Sequence, residues 1–340
     1  MPSLKNLLPA GGSAARRLPA ILLTAGVVLL ALGPWWADRA SLRLLSEFFY
    51  MLALAQMWNL LAGYGGLLSI GQQAYVGLGG YVLVLFGLKL GLNPFLTIPL
   101  AGLVCGLLAW PIGLLMFRLR GAYFAVGTWV VAEVCRLLLA NVSAFGGGSG
   151  ISVTATLRGM PAAWREALTL WSALALGLGA TGLVFLLLRS RHGLALTAVR
   201  DSVRAAASLG VSTRRIQWFV HVVCAMGCGM AGALIFITKL RISPDAAFSI
   251  DWMVAMIFIV VIGGIGTIEG PLVGTLLYFI LREQLSGYGS WYLIIVGLLT
   301  VAVMLWSPKG LWGSLHARFG LELFRVRRNL AMDRPRSADN

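Results

Sequence analysis

Residues 253–281 read MVAMIFIVVIGGIGTIEGPLVGTLLYFIL. The stretch is apolar on both sides of Gly263-Gly264-Ile265-Gly266-Thr267, a run of turn-forming residues. It is either one long helix or two helices joined by a turn. The choice between them sets how the rest of the chain is threaded.

The surrounding chain has 340 residues, of which 59% are hydrophobic and 11% charged, against about 25% charged in a soluble domain. Its mean hydropathy is +0.86. Such a composition places the chain in a membrane. There the backbone polar groups must be bonded internally, so spanning segments are helical. Candidate spans of roughly 20 apolar residues fall at 18–36, 43–62, 68–90, 94–117, 122–141, 166–188, 216–237, 247–265, 268–285 and 290–306. The third is the least regular. It begins after Gly63-Tyr64-Gly65-Gly66 and carries Gln72 and Gln73, as a broken or re-entrant helix would.

Cationic residues orient the chain, because they gather on the cytoplasmic side. Loop 189–215 carries Arg189, Arg191, Arg200, Arg204, Arg214 and Arg215 against one acid, Asp201. The tail carries Lys309, Arg318, Arg325, Arg327, Arg328, Arg334 and Arg336. If both lie inside, an even number of spans separates them. One long helix over 247–285 leaves three spans and fails, whereas a hairpin at 263–267 leaves four and succeeds. Lys5, Arg16 and Arg17 inside, followed by six spans, also bring loop 189–215 inside. The expectation is an all-α polytopic membrane protein of ten crossings, with eight or nine as alternatives and both termini cytoplasmic. It divides into an N-terminal segment 1–17, a membrane domain 18–306 and a basic, partly disordered tail 307–340. The first span lacks a small-residue cleavage site and ends in Pro34-Trp35-Trp36, so it is read as retained rather than as a signal peptide.

The net charge of +15 raises nucleic acid as a partner. The charges sit in loops of a membrane protein, however, with no soluble face to carry a basic patch. Catalytic signatures are missing as well. Gly227-Cys228-Gly229-Met230-Ala231-Gly232 matches GxGxxG but lies in an apolar helix with no preceding strand, so it reads as a packing surface. No GxxxxGK[ST] occurs, so no ATP site is expected in this chain. His192, His221 and His316 are scattered, and Cys105, Cys135, Cys224 and Cys228 read as small buried residues rather than metal ligands. No catalytic residue and no metal is expected, and an intramembrane enzyme lacks a cluster to support it. Gly102/Gly106 and Gly270/Gly274 have the four-residue spacing that lets membrane helices approach closely.

Ionisable residues inside spans are functional candidates by default. Glu133 and Arg136 share one helix face, either as a structural pair or beside a polar path. Gln56, Asn59, Gln72 and Gln73 line a path or bond between helices. The candidate path set is Gln72, Gln73, Thr128, Glu133 and Arg136; the candidate turn set is Gly263, Gly264, Gly266 and Gly270. Glu269 is read as a solvated turn acid. Residues 145–150, FGGGSG, are read as a turn, with an anion cradle as the alternative.

The stretch LALTAVRDSVRAAASLGV, residues 194–211, has helix-favouring alanine and leucine. Val199, Val203, Ala206 or Ala207, and Gly210 form a weakly apolar stripe. A short surface helix is expected from 194 to 210, on membrane lipids or in a partner's groove. Alanines bury little apolar area, which favours the partner. Gly210 is placed to end the helix in a left-handed turn.

This stretch resembles the cytoplasmic coupling loop of ABC importer membrane subunits. The chain as a whole resembles permeases of the branched-chain amino acid importer family over most of 50–310. The likeness is carried by WNLLAGYGGLLSIGQQAYVGLGGY (58–81), RLRGAYFAVGTWVVAEVCRLLLAN (118–141), GGGSGI (146–151), AVRDSVRAAASLGV (198–211) and VIGGIGTIEGPLVGTLL (261–277). The resemblance implies import of leucine, isoleucine or valine across a bacterial inner membrane. It implies a related second permease, two cytoplasmic ATPase subunits that bind ATP and Mg, and a periplasmic solute-binding protein. Coupling then falls to Arg200, Asp201, Arg204, Ala205, Ala206 and Gly210. The family often has acids where this chain has Val203 and Ala207, which implies one fewer salt bridge to the ATPase. Relatives of this type also move other amino acids, urea, short amides or aromatic acids. A carrier or channel that works without an ATPase is the alternative from outside the family.

Overall fold

The structure, a computed structural model, describes residues 24–285, 287, 291–307 and 310–319. Lys5, Arg16, Arg17, Lys309 and the arginines from 325 onward lie outside the described residues. After helical residues 24–31 and a turn of helix at Gly33–Trp36 comes α1, Arg39–Trp58, continued without a break by a π-helical segment, Asn59–Tyr64. Asp38 starts α1 by accepting the Ala40 N–H at 3.2 Å. Residues 65–72 are not helical. They lead to α2, Gln73–Val82, which also runs on as a π-helix, Leu83–Lys89. Next come α3 (Thr97–Met116), α4 (Ala122–Ala140), α5 (Ala162–Arg189), α6 (Arg191–Asp201), α7 (Val203–Ser208) and α8 (Thr213–Lys239). The chain closes with α9 (Pro244–Ala247), α10 (Ile250–Gly263), α11 (Gly270–Leu285), α12 (Trp291–Trp306) and α13 (Gly310–Phe319).

Among the described residues, six helical segments are long and apolar enough to cross a bilayer: Arg39–Tyr64, α3, α4, α5, α8 and Pro244–Gly263. They match six of the ten expected spans. The irregular third span has shrunk to the apolar segment Gln73–Lys89. The hairpin at 263–267 is present, with α10 and α11 packed side by side. α11 and α12 have 16 residues each, about 24 Å of helix against about 30 Å of hydrocarbon. The protein is an all-α, multi-pass membrane protein.

Helix α8 is the centre and packs on α3, α2, α1 and α5. Its small residues explain how. A Cβ built on Gly227 would meet the Met57 side chain of α1 at 2.5 Å, and one on Gly229 the Cys105 sulfur of α3 at 2.5 Å. One on Gly232 would run into the Val76 carbonyl of α2. The three glycines of the GxGxxG string thus face three different helices, as a packing surface does. Gly102 and Gly106 of α3 lie against Met230 and Met226 of α8. Gly270 and Gly274 of α11 lie against the carbonyls of Gly264 and Ile259. Both four-residue pairs mark helix contacts, and at Gly274 the contact is backbone on backbone. Cys105, Cys224 and Cys228 are fully buried among these helices.

Candidate functional site

The arginine-rich end of the molecule is assembled from the 190–212 segment, the α10–α11 turn and the start of α13. Ser190 caps α6 by accepting the His192 N–H at 3.2 Å. Ser202 then takes an extended conformation, φ −162°, and accepts the Ala205 N–H at 3.2 Å. That cap divides the expected 194–210 helix into α6 and α7, because an N-cap residue supplies its side-chain oxygen to the next helix only from a non-helical backbone. The expected stripe divides with it. Leu196, Val199 and Ala206 are buried against the protein, whereas Val203, Ala207 and Gly210 face outward.

The outward face is also apolar. Leu194 is 75%, Val203 44% and Leu209 81% exposed, with Ala205 and Ala207 beside them. Gly210 has φ +79°, and the Val211 N–H returns to the Ala206 carbonyl at 3.0 Å, so the expected left-handed stop is present. Of the predicted coupling residues, Arg200, Asp201, Ala205 and Gly210 are exposed and Ala206 is buried. The Arg204 side chain lies outside the described residues. Arg200 donates to Asp201 at 3.0 Å and leans over the α10–α11 turn, where a Cβ on Gly266 would sit 3.7 Å from its Nη1.

That turn is held by α1. The Asn59 side chain accepts the Gly266 N–H at 2.8 Å and donates to the Thr267 carbonyl at 2.7 Å. Gln56 donates to the Ile268 carbonyl at 2.8 Å. Both amides are fully buried. Gly264 (φ +130°) and Gly266 (φ +74°) adopt backbone that L side chains avoid. Thr267 donates to the Gly264 carbonyl at 2.7 Å and accepts the Gly270 N–H at 3.0 Å. Gly310, at the start of α13, abuts Gly264. Asn59 thus bonds across helices, one of its two expected roles. Glu269, expected in solvent, is only 7% exposed, because the turn is tucked against Asn59–Tyr64 instead of projecting from the surface.

The predicted path residues separate into two groups. Gln72, Gln73 and Thr128 are buried together near the non-helical 65–72 segment, where the Ile70 N–H donates to Thr128 Oγ1 at 3.1 Å and Gly71 packs on the Thr128 carbonyl. The side-chain oxygens of Gln72 and Gln73 have no partner. Glu133 and Arg136 lie further along α4. Arg136 Nε reaches both carboxylate oxygens of Glu133 at 3.0 Å, and its Nη1 reaches Asp245 of α9 at 2.5 Å. The side chains are 46%, 27% and 76% exposed in the order Glu133, Arg136, Asp245. Residues 146–150 form tight turns with positive φ at Gly146, Gly147 and Gly150. They run into a two-residue ladder pairing β1 (Ile151–Ser152) with β2 (Arg241–Ile242). Arg241 donates to the Ser149 carbonyl at 3.1 Å.

Sequence reading missed three features. Asp245 is the third member of the Arg136 group. Glu47 on α1 holds Arg282 on α11 at 2.7 and 3.2 Å, and Tyr75 meets His221 at 2.9 Å in the core. Glu47 and Arg282 were open to discovery, since each is an ion inside a predicted span. The Tyr75–His221 pair has no sequence signal beyond two polar residues in apolar runs.

A profile for the family described as branched-chain amino acid transport system / permease component matches residues 41–306. The high-affinity branched-chain amino acid transport system permease protein LivM of Escherichia coli (strain K12) is 29% identical over 333 residues, covering 90% of this chain and 78% of the relative. LivM of Salmonella typhimurium (strain LT2) matches to the same extent, 29% over 333 residues. A probable branched-chain amino acid transport permease protein LivM of Methanocaldococcus jannaschii is 24% identical over 243 residues, covering 66% of this chain and 69% of the relative. No solved structure gives a significant match.

Proposed function

The chain belongs to the family of permease components of branched-chain amino acid transport systems, and from that premise we propose that it is the membrane subunit of an ATP-driven importer of leucine, isoleucine and valine. It sits in a bacterial inner membrane with its arginine-rich end in the cytoplasm. A related second permease completes the pathway. Two ATPase chains bind ATP and Mg, and a periplasmic binding protein delivers the solute.

The observation that carries this reading, beside the family match, is the outward face of α6 and α7. Leu194, Val203 and Leu209 stand exposed on a segment whose other face is anchored by Leu196, Val199 and Ala206. Apolar side chains presented this way at a cytoplasmic loop suit a partner's groove. The missing acids at Val203 and Ala207 are consistent with docking by apolar contact rather than by a salt bridge. Arg200 and Asp201 flank the patch, and Arg200 meets the α10–α11 turn, so a push on the loop reaches the membrane core. In alternating access, closure of the ATPase dimer moves this segment and the spans tip together. Gln72, Gln73 and Thr128 are the candidate inner lining, and Glu133 with Arg136 is an outer clamp.

Mass spectrometry of what co-purifies with a tagged copy from mild detergent tests the assembly. ATPase chains and a second permease are expected; a homo-oligomer without an ATPase would overturn the reading. Gly210→Trp tests the coupling. Nothing lies within 4 Å of a Cβ there, so the fold survives, but the left-handed backbone disfavours a side chain by about 1–2 kcal/mol. ATP hydrolysis should persist while leucine uptake falls. Normal uptake would count against coupling through this segment.

A further inference from the structure

At the end opposite the arginine-rich loop, a cavity of about 230 Å³ opens between the first turns of α1, the first turns of α5 and the last turn of α8. It lies apart from the coupling segment, the α10–α11 turn and the Glu133–Arg136 clamp. Its walls carry both signs of charge: Glu47 and Glu166 with Arg43, Arg165 and Lys239.

The acids differ in how they are satisfied. Both oxygens of Glu47 are taken by Arg282. Glu166 meets Arg39 through Oε2 alone, at 3.6 Å. Its Oε1 is buried with no hydrogen-bond partner, on a side chain only 10% exposed. A buried carboxylate oxygen without a donor is costly. Among the described residues, Arg43, Arg165 and Lys239 have no carboxylate within salt-bridge distance. Lys239 instead rests over the Trp252 ring, 4.6 Å from its centre. The cavity therefore holds one buried acceptor in need of a donor, beside cations that no described carboxylate engages, Arg43 and Lys239 at the exposed rim and Arg165 partly buried. Leu42, Ile237 and Leu240 add apolar wall.

We propose that this cavity is an outer binding station for a free α-amino acid, which deepens and rests on the function proposed above. The ammonium group donates to Glu166 Oε1, and the carboxylate is taken by Arg43 and Lys239. A ligand with both charged groups on one carbon satisfies both walls, and a ligand with one leaves the other uncompensated.

The test is equilibrium binding of tritiated leucine to the assembled importer in nanodiscs, without the binding protein, beside leucine uptake by the same complex in proteoliposomes with the binding protein. Saturable leucine binding is expected, weakened about tenfold or more in Glu166→Gln, as loss of a charge-assisted hydrogen bond implies. Leucinol, which lacks the carboxylate, and 4-methyl-2-oxopentanoate, which lacks the ammonium, should not compete. Arg43→Gln gives a second route, because Arg43 is exposed and its loss leaves the fold intact. Unchanged binding in Glu166→Gln, or competition by both analogues at leucine's own strength, would overturn the site. Uptake without saturable binding would overturn the site and leave the importer standing. Absence of uptake for every branched-chain amino acid would overturn the functional reading, and the station with it.

Discussion

At the arginine-rich end, the fully buried neutral amides of Asn59 and Gln56 hold the α10–α11 turn by three hydrogen bonds with backbone, donating two and accepting one. At the opposite end, Arg136 and Arg282 are held by carboxylates that remain in contact with solvent. The first arrangement is directional and closed to solvent, with Gln56 Oε1 left over, so it keeps one geometry. The second consists of charges that exchange partners at little cost, since exposed ion pairs contribute only about 0–1 kcal/mol each. Under the proposed function, the first arrangement suits an end that transmits force, and the second an end that receives and releases a charged solute.

Four substitutions test that contrast. The largest effect is expected for Gly274→Val, whose side chain meets the Ile259 carbonyl, a backbone atom that cannot step aside. Overpacking of this kind should cost about 3 kcal/mol or more, read as loss of the monodisperse peak in detergent size-exclusion chromatography. Asn59→Leu comes next. It strands the Gly266 N–H and the Thr267 carbonyl, at about 1–3 kcal/mol for each buried unsatisfied group. A lowered melting temperature together with reduced uptake is expected; wild-type values for both would show the arginine-rich end to be no stiffer than the opposite one. Leu209→Glu should leave the melting temperature unchanged, because the side chain is 81% exposed. It should nonetheless lower uptake about tenfold, as loss of one apolar anchor at a docking surface implies. The smallest effect belongs to Arg136→Gln, expected to change stability by less than about 1 kcal/mol. A larger loss in chemical denaturation would make the outer clamp structural and erase the contrast.

Six of the ten expected spans were legible in the sequence because long apolar runs between turn-forming residues mark them. The hairpin at 263–267 followed from counting spans, and the glycine pairs followed from spacing. The division of 194–210 into α6 and α7 was not legible, because Ser202 is a cap only once its backbone leaves the helix, and alanine and leucine on either side favour continuing it. The burial of Glu269 was hidden for a related reason. Whether a turn projects or is tucked in depends on what α1 offers 200 residues earlier. Among the candidate path residues, the sequence placed Glu133 beside Arg136 but could not supply Asp245, which arrives from α9. The outer cavity escaped altogether, since its walls come from three separated helices and its charges look individually like span ends.

Gly232 of α8 lies against the Val76 carbonyl of α2, and Gly79 of α2 lies against the Gly229 carbonyl of α8, so no side chain separates these two helices at their closest points. Interdigitated side chains can change rotamer and let one helix slide past another, which is the basis of shear motion. Backbone seated on backbone has no such play. The α2–α8 pair at the centre of this permease is therefore expected to move as one body, with the backbone giving way elsewhere: at Ser202 and in the unwound approach to α2.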